Sequence, residues 1–212
     1  WGRWLAGAAM ALALATTPAL ADDTLDRGVG SEWSSLDPQV NFDGSAGSIL
    51  ADAYEGLVTF DPAGKIIPGA AESWEASADG KTYTFHLREG LKWSNGDPLV
   101  AQDFVNGVLR TLNPDTISEK GYYFYSTIQI KGAEALANGE TKDPSVLGVT
   151  APDDRTVVIE MENPAPHILD LMGYFQMAPL HSPSFNAGGA AVFIDPALVV
   201  TNGAYVFREV VP

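Results

Sequence analysis

The side chains best suited to chemistry in this 212-residue sequence are three histidines, two close carboxylate pairs and one pair of adjacent glycines. His86, His167 and His181 stand far apart, and none belongs to an HExxH or similar paired-ligand spacing. His86 falls on the polar side of an alternating stretch, where a structural histidine is the expected role. His167 follows Pro164-Ala-Pro166 and is expected to begin a short helix running to Met172. Asp153-Asp154 fits a turn, while Glu160 and Glu162 have the spacing of one solvated strand face. Gly188-Gly189 is not followed by a phosphate-binding loop, no serine sits in a nucleophile elbow, and there is no cysteine to act as thiolate. Neither an enzyme nor a cofactor site is therefore expected. Binding is the expected activity.

The scaffold, in contrast, is densely specified. In SWEASADGKTYTFHLREGLKWSNGDPLVAQDF (Ser73 to Phe104), Ala78-Asp79-Gly80 reads as a tight turn. Thr82 to Arg88 alternates, with Tyr83, Phe85 and Leu87 pointing one way and Thr84, His86 and Arg88 the other. After the turns at Glu89-Gly90 and Ser94 to Pro98, Ala101, Phe104, Val105, Val108, Leu109 and Leu112 recur at helical spacing, and Asn113-Pro114 stops the helix. Upstream, Ile49, Leu50, Ala53, Tyr54 and Leu57 form one helical face, with Asp43 or Ser45 as candidate N-caps. Leu57 to Phe60 and Lys65 to Ile67 flank Asp61-Pro-Ala-Gly64 and predict a hairpin, and Leu25 to Trp33 predicts a short strand. Thr156 to Met161 is expected in the same sheet as Thr82 to Arg88, with the 101–112 helix packed on it.

The leading residues WGRWLAGAAMALALATTPALA (Trp1 to Ala21) place Arg3 before an apolar run and small residues at Ala19 and Ala21, the pattern of a secretory signal peptide cleaved before Asp22. The run is too short to cross a bilayer. Because residue 1 is Trp rather than Met, the sequence is expected to begin inside that leader. The net charge is −15, from 12 basic and 27 acidic residues, which argues against nucleic acid and anionic membrane as partners. An exported, acidic chain is expected in the periplasm.

The stretch AAESWEASADGKTYTFHLREGLKWSNGDPLVAQDFV resembles the signature region of the family 5 extracellular solute-binding proteins, the oligopeptide- and dipeptide-binding proteins of ABC importers. The resemblance continues through SLDP (Ser35 to Pro38), AYEGLVTFDPAGKIIPGAAESW, LGVTAPDDRTVVIEMENPAPHILDLM and VTNGAYVFREVV, in the family's order. Val100 departs from it, standing where the family usually has a helix-capping Thr; Asp97 or Asp103 is expected to compensate. The resemblance implies a mixed α/β fold, the type II two-lobe architecture of periplasmic binding proteins with the extra lobe of the peptide-binding members. Family members are considerably longer, so it also implies that this sequence is an amino-terminal part. Residues 22–46 would begin the main lobe, 47–180 form the inserted lobe, and 181–212 return to the main one.

It further implies a peptide ligand, permease subunits in the inner membrane as partners, and action as a monomer. The loop after Ser-Leu-Asp-Pro, Gln39 to Ser45, would run along the bound peptide, with Phe42, Asp43, Gly44 and Ser45 as contacts and Asp43 attracting a peptide amine. Tyr122 or Tyr123, in an expected loop at Gly121 to Tyr125, would offer a ring to the ligand. The carboxylate that pairs with the peptide's α-amino group would lie beyond Pro212. Other solutes within the family are a nickel complex, a murein peptide or a saccharide. An interaction module that binds no solute is a further reading.

Overall fold

The structure is a computed structural model that describes residues 24–28, 35–41, 44–116, 118–174 and 177–209. The expected leader lies outside these residues. So do Phe42, Asp43 and most of the strand expected at Leu25 to Trp33, whose described part, residues 25–28, is not in a strand.

Helix α1 (Gly44–Ala53) leads into the hairpin of β1 (Val58–Phe60) and β2 (Ile66–Pro68), paired antiparallel around the Asp61 turn. The centre of the fold is a four-stranded antiparallel sheet of β3 (Ala71–Ala76), β4 (Thr82–Leu87), β5 (Val149–Asp153) and β6 (Thr156–Glu160), in the order β3-β4-β6-β5. Strand β4 alternates in burial as its sequence requires: Tyr83, Phe85 and Leu87 are buried, and the residues between them half-exposed. Phe85 sits opposite Trp74 on one side and Val157 on the other. Gly80, at φ 68°, closes the β3–β4 turn in the left-handed region that a side chain rarely adopts.

Helix α2 (Ala101–Leu112) packs on β5 and β6 through Phe104, Val105, Val108 and Leu112. Its sequence predicts one apolar face, but Asp103, Gly107, Arg110 and Thr111 are buried as well. The reason is a second layer on the far side of α2, formed by residues 36–41 and by the segment from Met177 to Phe193. Leu180 N–H donates to Asp103 O at 2.9 Å, and Arg110 meets the 36–41 loop. The shorter helices are α3 (Ala133–Ala137), α4 (Ile168–Met172) and α5 (Ser182–Gly188). One apolar core runs without interruption from Leu36 to Val199, with a small satellite of Leu180, Val192 and Phe193. The boundary expected between residues 46 and 47 falls inside α1, which is continuous. Among the described residues no helix is long and apolar enough to cross a membrane.

The capping question at Val100 has a definite answer. Val100 has no acceptor in its side chain, so only the reciprocal half of a capping box forms: its backbone N–H donates to Asp103 Oδ2 at 3.1 Å. Asp103 also accepts from Trp93 Nε1 at 3.0 Å. Burial pushes the Asp103 carboxyl above its ordinary value, opposed by these two hydrogen bonds. Asp97 does not share this role, because it turns to Asn95 and His181.

Candidate functional site

The histidines take structural positions. His86 lies on the outer face of β4, 3.6 Å from Glu75 on the neighbouring strand. His167 precedes α4 and reaches Thr127 O at 3.2 Å. His181 is buried, with Nδ1 2.6 Å from Ser184 Oγ and Nε2 2.9 Å from Asp97 Oδ2. These distances match a serine–histidine–aspartate relay, but the arrangement is a helix cap. Ser184 N–H also points at Nδ1 (3.3 Å), so Nδ1 is the acceptor and Nε2 carries the proton donated to Asp97. Trp93 packs edge-on against the ring, centroids 5.1 Å apart. The Asn95 amide, and after it the His181 ring, hold Asp97 below the ordinary carboxylate value. No group of three or more His, Asp or Glu that could hold a metal gathers among the described residues.

The segments implied as ligand contacts are positioned by a polar junction. In residues 36–41 the chain turns on Asp37, whose carbonyl accepts from Val40 N–H (3.2 Å) and Asn41 N–H (2.8 Å), while its Oδ1 accepts from Gln39 N–H (3.0 Å). Asp37, Gln39 and Asn41 are buried. The loop folds inward from Asp37 to Asn41, with the Gln39 and Asn41 side chains in the interior. Phe42 and Asp43 lie outside the described residues. Gly44 is exposed and Ser45 half-buried. Ser45 sits within the first turn of α1, not before it, so it cannot serve as the N-cap residue.

Gly121 to Tyr125, expected as a loop, is helical. Its last part is the π-helix Tyr123–Thr127, closed by Ile128 N–H donating to Tyr123 O at 3.0 Å. Helical curvature buries Phe124, leaves Tyr123 and Tyr125 half-buried, and puts Tyr122 at 53% exposure. The Tyr122 ring stands edge-on to Tyr123 and Tyr125, at 6.0 and 6.1 Å. Tyr123 lines a cavity of about 350 Å³ with Lys120, Phe124, Leu171, Tyr174 and Met177.

The two segments approach each other at their leading residues. Ser118 Oγ donates to Gln39 O at 2.5 Å, and the buried Lys120 Nζ donates to Pro38 O at 3.0 Å. From α2, Arg110 Nη1 donates to Asp37 Oδ1 (2.6 Å) and Gln39 Oε1 (2.8 Å), and Nη2 pairs with Asp37 Oδ2. Tyr54, buried beside this cluster, has its phenol pushed up by burial first and by the Asp37 charge second. Sequence reasoning missed Arg110, Lys120 and Tyr174. The one available signal was a cation interrupting the flank of an otherwise apolar helix. Among its described residues the site offers ring faces, backbone groups and a buried polar support, with no activated nucleophile.

A model of the bacterial extracellular solute-binding proteins, family 5 Middle, matches residues 65–212. The chain is 39% identical over 176 residues to the periplasmic oligopeptide-binding protein OppA of Haemophilus influenzae, covering 83% of this chain and 32% of OppA. It is 34% identical over 185 residues to the periplasmic murein peptide-binding protein MppA of Escherichia coli, covering 87% of this chain and 34% of MppA. The crystal structure of Haemophilus influenzae OppA in complex with RPPGFSPFR superposes with a TM-score of 0.82 at 39% identity, over 86% of this chain and 35% of that one. The chain thus spans about a third of the length of these relatives. Its mixed α/β fold is theirs over that third. The chain belongs to the family 5 bacterial extracellular solute-binding proteins, which bind solutes and are not enzymes.

Proposed function

We propose that this chain is the amino-terminal part of the substrate-binding subunit of an ABC importer, which captures peptides in the periplasm and delivers them to permease subunits in the inner membrane. The observation that carries the reading is the junction at Pro38–Gln39, where Ser118 and Lys120 bring the segment leading to Phe42–Ser45 against the segment leading to Tyr122–Tyr123. An extended peptide laid beside such a junction gains affinity through its backbone and through ring faces, without its side chains being read closely. The likeness to an OppA crystallised with a peptide supports the same class of ligand. Phe42, Asp43, Gly44, Ser45, Tyr122 and Tyr123 are the proposed contacts, with Asp43 drawing in a peptide amine. The proposed lobe division keeps 181–212 as the return to the main lobe. It moves the first boundary ahead of Gly44, because α1 is one continuous helix.

The test is calorimetry with a mixed pool of tri- to pentapeptides, on the two-lobe protein and on residues 22–212 alone. The two-lobe protein is expected to bind. The shorter chain is expected to bind at least about a hundredfold more weakly, because a clamp loses a charge-assisted partner and half its enclosure. Comparable affinity in both would place the whole site before Pro212. Mass spectrometry of the ligand co-purified with the two-lobe protein identifies the solute, and a saccharide or metal complex there would overturn the peptide reading.

A further inference from the structure

Arg110 is buried at 8% exposure, far from solvent for a guanidinium, and its partners come from two other parts of the chain. It grips Asp37 with both ends of its fork and takes Gln39 as a third acceptor. Its flat face lies 4.5 Å from the Phe185 ring centroid and 5.1 Å from that of Phe193. Gln39 passes the grip on, donating through Nε2 to Ala178 O at 3.0 Å. One side chain on α2 thus joins the 36–41 loop to the 178–193 segment.

A buried ion pair is a poor way to gain stability, since well-packed apolar residues often replace one without loss. What a bidentate arginine fork supplies is direction, because it fixes both the distance and the plane of the carboxylate. The loop it fixes gives the apolar core little: of residues 36–41 only Leu36 belongs to it. The same loop runs directly into residues 42–45. We infer that Arg110 is a positioning residue for ligand binding, fixing the register of the 36–41 loop against α2 and the 178–193 segment. The inference rests on the peptide-binding reading above.

The experiment compares wild type, Arg110→Lys and Val105→Ala in the two-lobe protein. Lysine keeps the charge but cannot hold both oxygens of Asp37 and Gln39 at once. Val105→Ala weakens the same helix through its apolar face, away from the loop. The readouts are calorimetry with the tri- to pentapeptide pool and amide exchange at Val40 and Asn41. Arg110→Lys is expected to weaken binding about tenfold or more and to speed exchange at those two amides. Val105→Ala is expected to lower the melting temperature while binding within about twofold of wild type. The inference is overturned if Arg110→Lys binds within twofold of wild type, or if Val105→Ala loses as much affinity. Should wild type bind no peptide, the peptide reading fails by itself, and unchanged exchange in Arg110→Lys then overturns the positioning role too. Gln39→Leu, which removes one Arg110 acceptor and the donor to Ala178 O but leaves the Asp37 pair intact, is expected to give the same pattern at smaller size, and decides the matter if the lysine variant does not fold.

Discussion

Gly107 stands in the interior of α2, where helix propensity alone favours alanine by about 1 kcal/mol. The structure predicts the opposite sign. A Cβ at position 107 would lie 2.5 Å from Ala178 O, against an ordinary contact distance of 3.4 Å or more. That oxygen is backbone and cannot rotate aside. It also accepts from Gln39 Nε2, and two residues on Leu180 N–H is bound to Asp103 O, so the segment is held on both sides of the clash. Overpacking against a fixed neighbour costs about 1–3 kcal/mol, and straining the hydrogen bond that Ala178 O accepts from Gln39 adds about 1 kcal/mol. After the propensity gain, Gly107→Ala should remain about 1–3 kcal/mol less stable than wild type, about 2–4 °C in Tm for each kcal/mol in a chain of this size. Urea unfolding should show a lower midpoint at unchanged m. Gln102→Ala, at an exposed position of the same helix, should stay within about 0.5 kcal/mol. A Gly107→Ala protein as stable as wild type, or more so, would refute the packing of α2 against residues 178–180.

Asp103→Ala should destabilise by about 2–4 kcal/mol in urea titration, because the buried Trp93 Nε1 and the Val100 N–H both lose their acceptor. Asp103→Asn keeps one oxygen, which can stand in for Oδ2 and accept both bonds, and should lose clearly less; equal losses in the two variants would contradict these two hydrogen bonds. The raised Asp103 carboxyl has a second consequence. Its protonated form is favoured in the fold, so the stability it contributes is present below its ordinary value of 3.8 and is lost as pH rises through its folded value. The stability of wild type minus that of Asp103→Asn should therefore fall as pH rises above about 4, and a flat or rising difference would count against it. Val100→Thr should stabilise by about 0.5 kcal/mol, since Val100 is already extended and lacks only an acceptor for the first turn; a neutral or negative result would mean that the Asp103 half of the cap suffices.

Elements fixed by local pattern were legible in the sequence. Strand β4 alternates, α2 repeats at helical spacing and stops at Asn113-Pro114, the Asp61 turn closes a hairpin, and His167 precedes α4, each within a residue or two of its expected limits. What failed depended on a partner far along the chain. The burial of Asp103 and Arg110 follows from the 36–41 and 177–193 segments covering the far side of α2, and no periodicity within α2 encodes that layer. His181 meets Asp97 across 84 residues. The loop expected at Gly121 to Tyr125 rests on the family resemblance and not on the pattern of its residues, and helical turns there bury Phe124.

The same division explains how a chain with so little reactive chemistry carries so many buried polar groups. Asp37, Gln39, Asp103, Arg110, Lys120, His181 and Thr201 are all buried, and each that is traced above joins segments distant in sequence or closes a helix end. Apolar burial supplies cohesion but no direction, since the hydrophobic effect is non-directional. A hydrogen-bonded charge supplies direction, because displacement strands a buried polar atom. That second property matters most where a surface loop is anchored to the interior. The clamp of Arg110 on Asp37 and Gln39, backed by Lys120 on Pro38, sits at such an anchor.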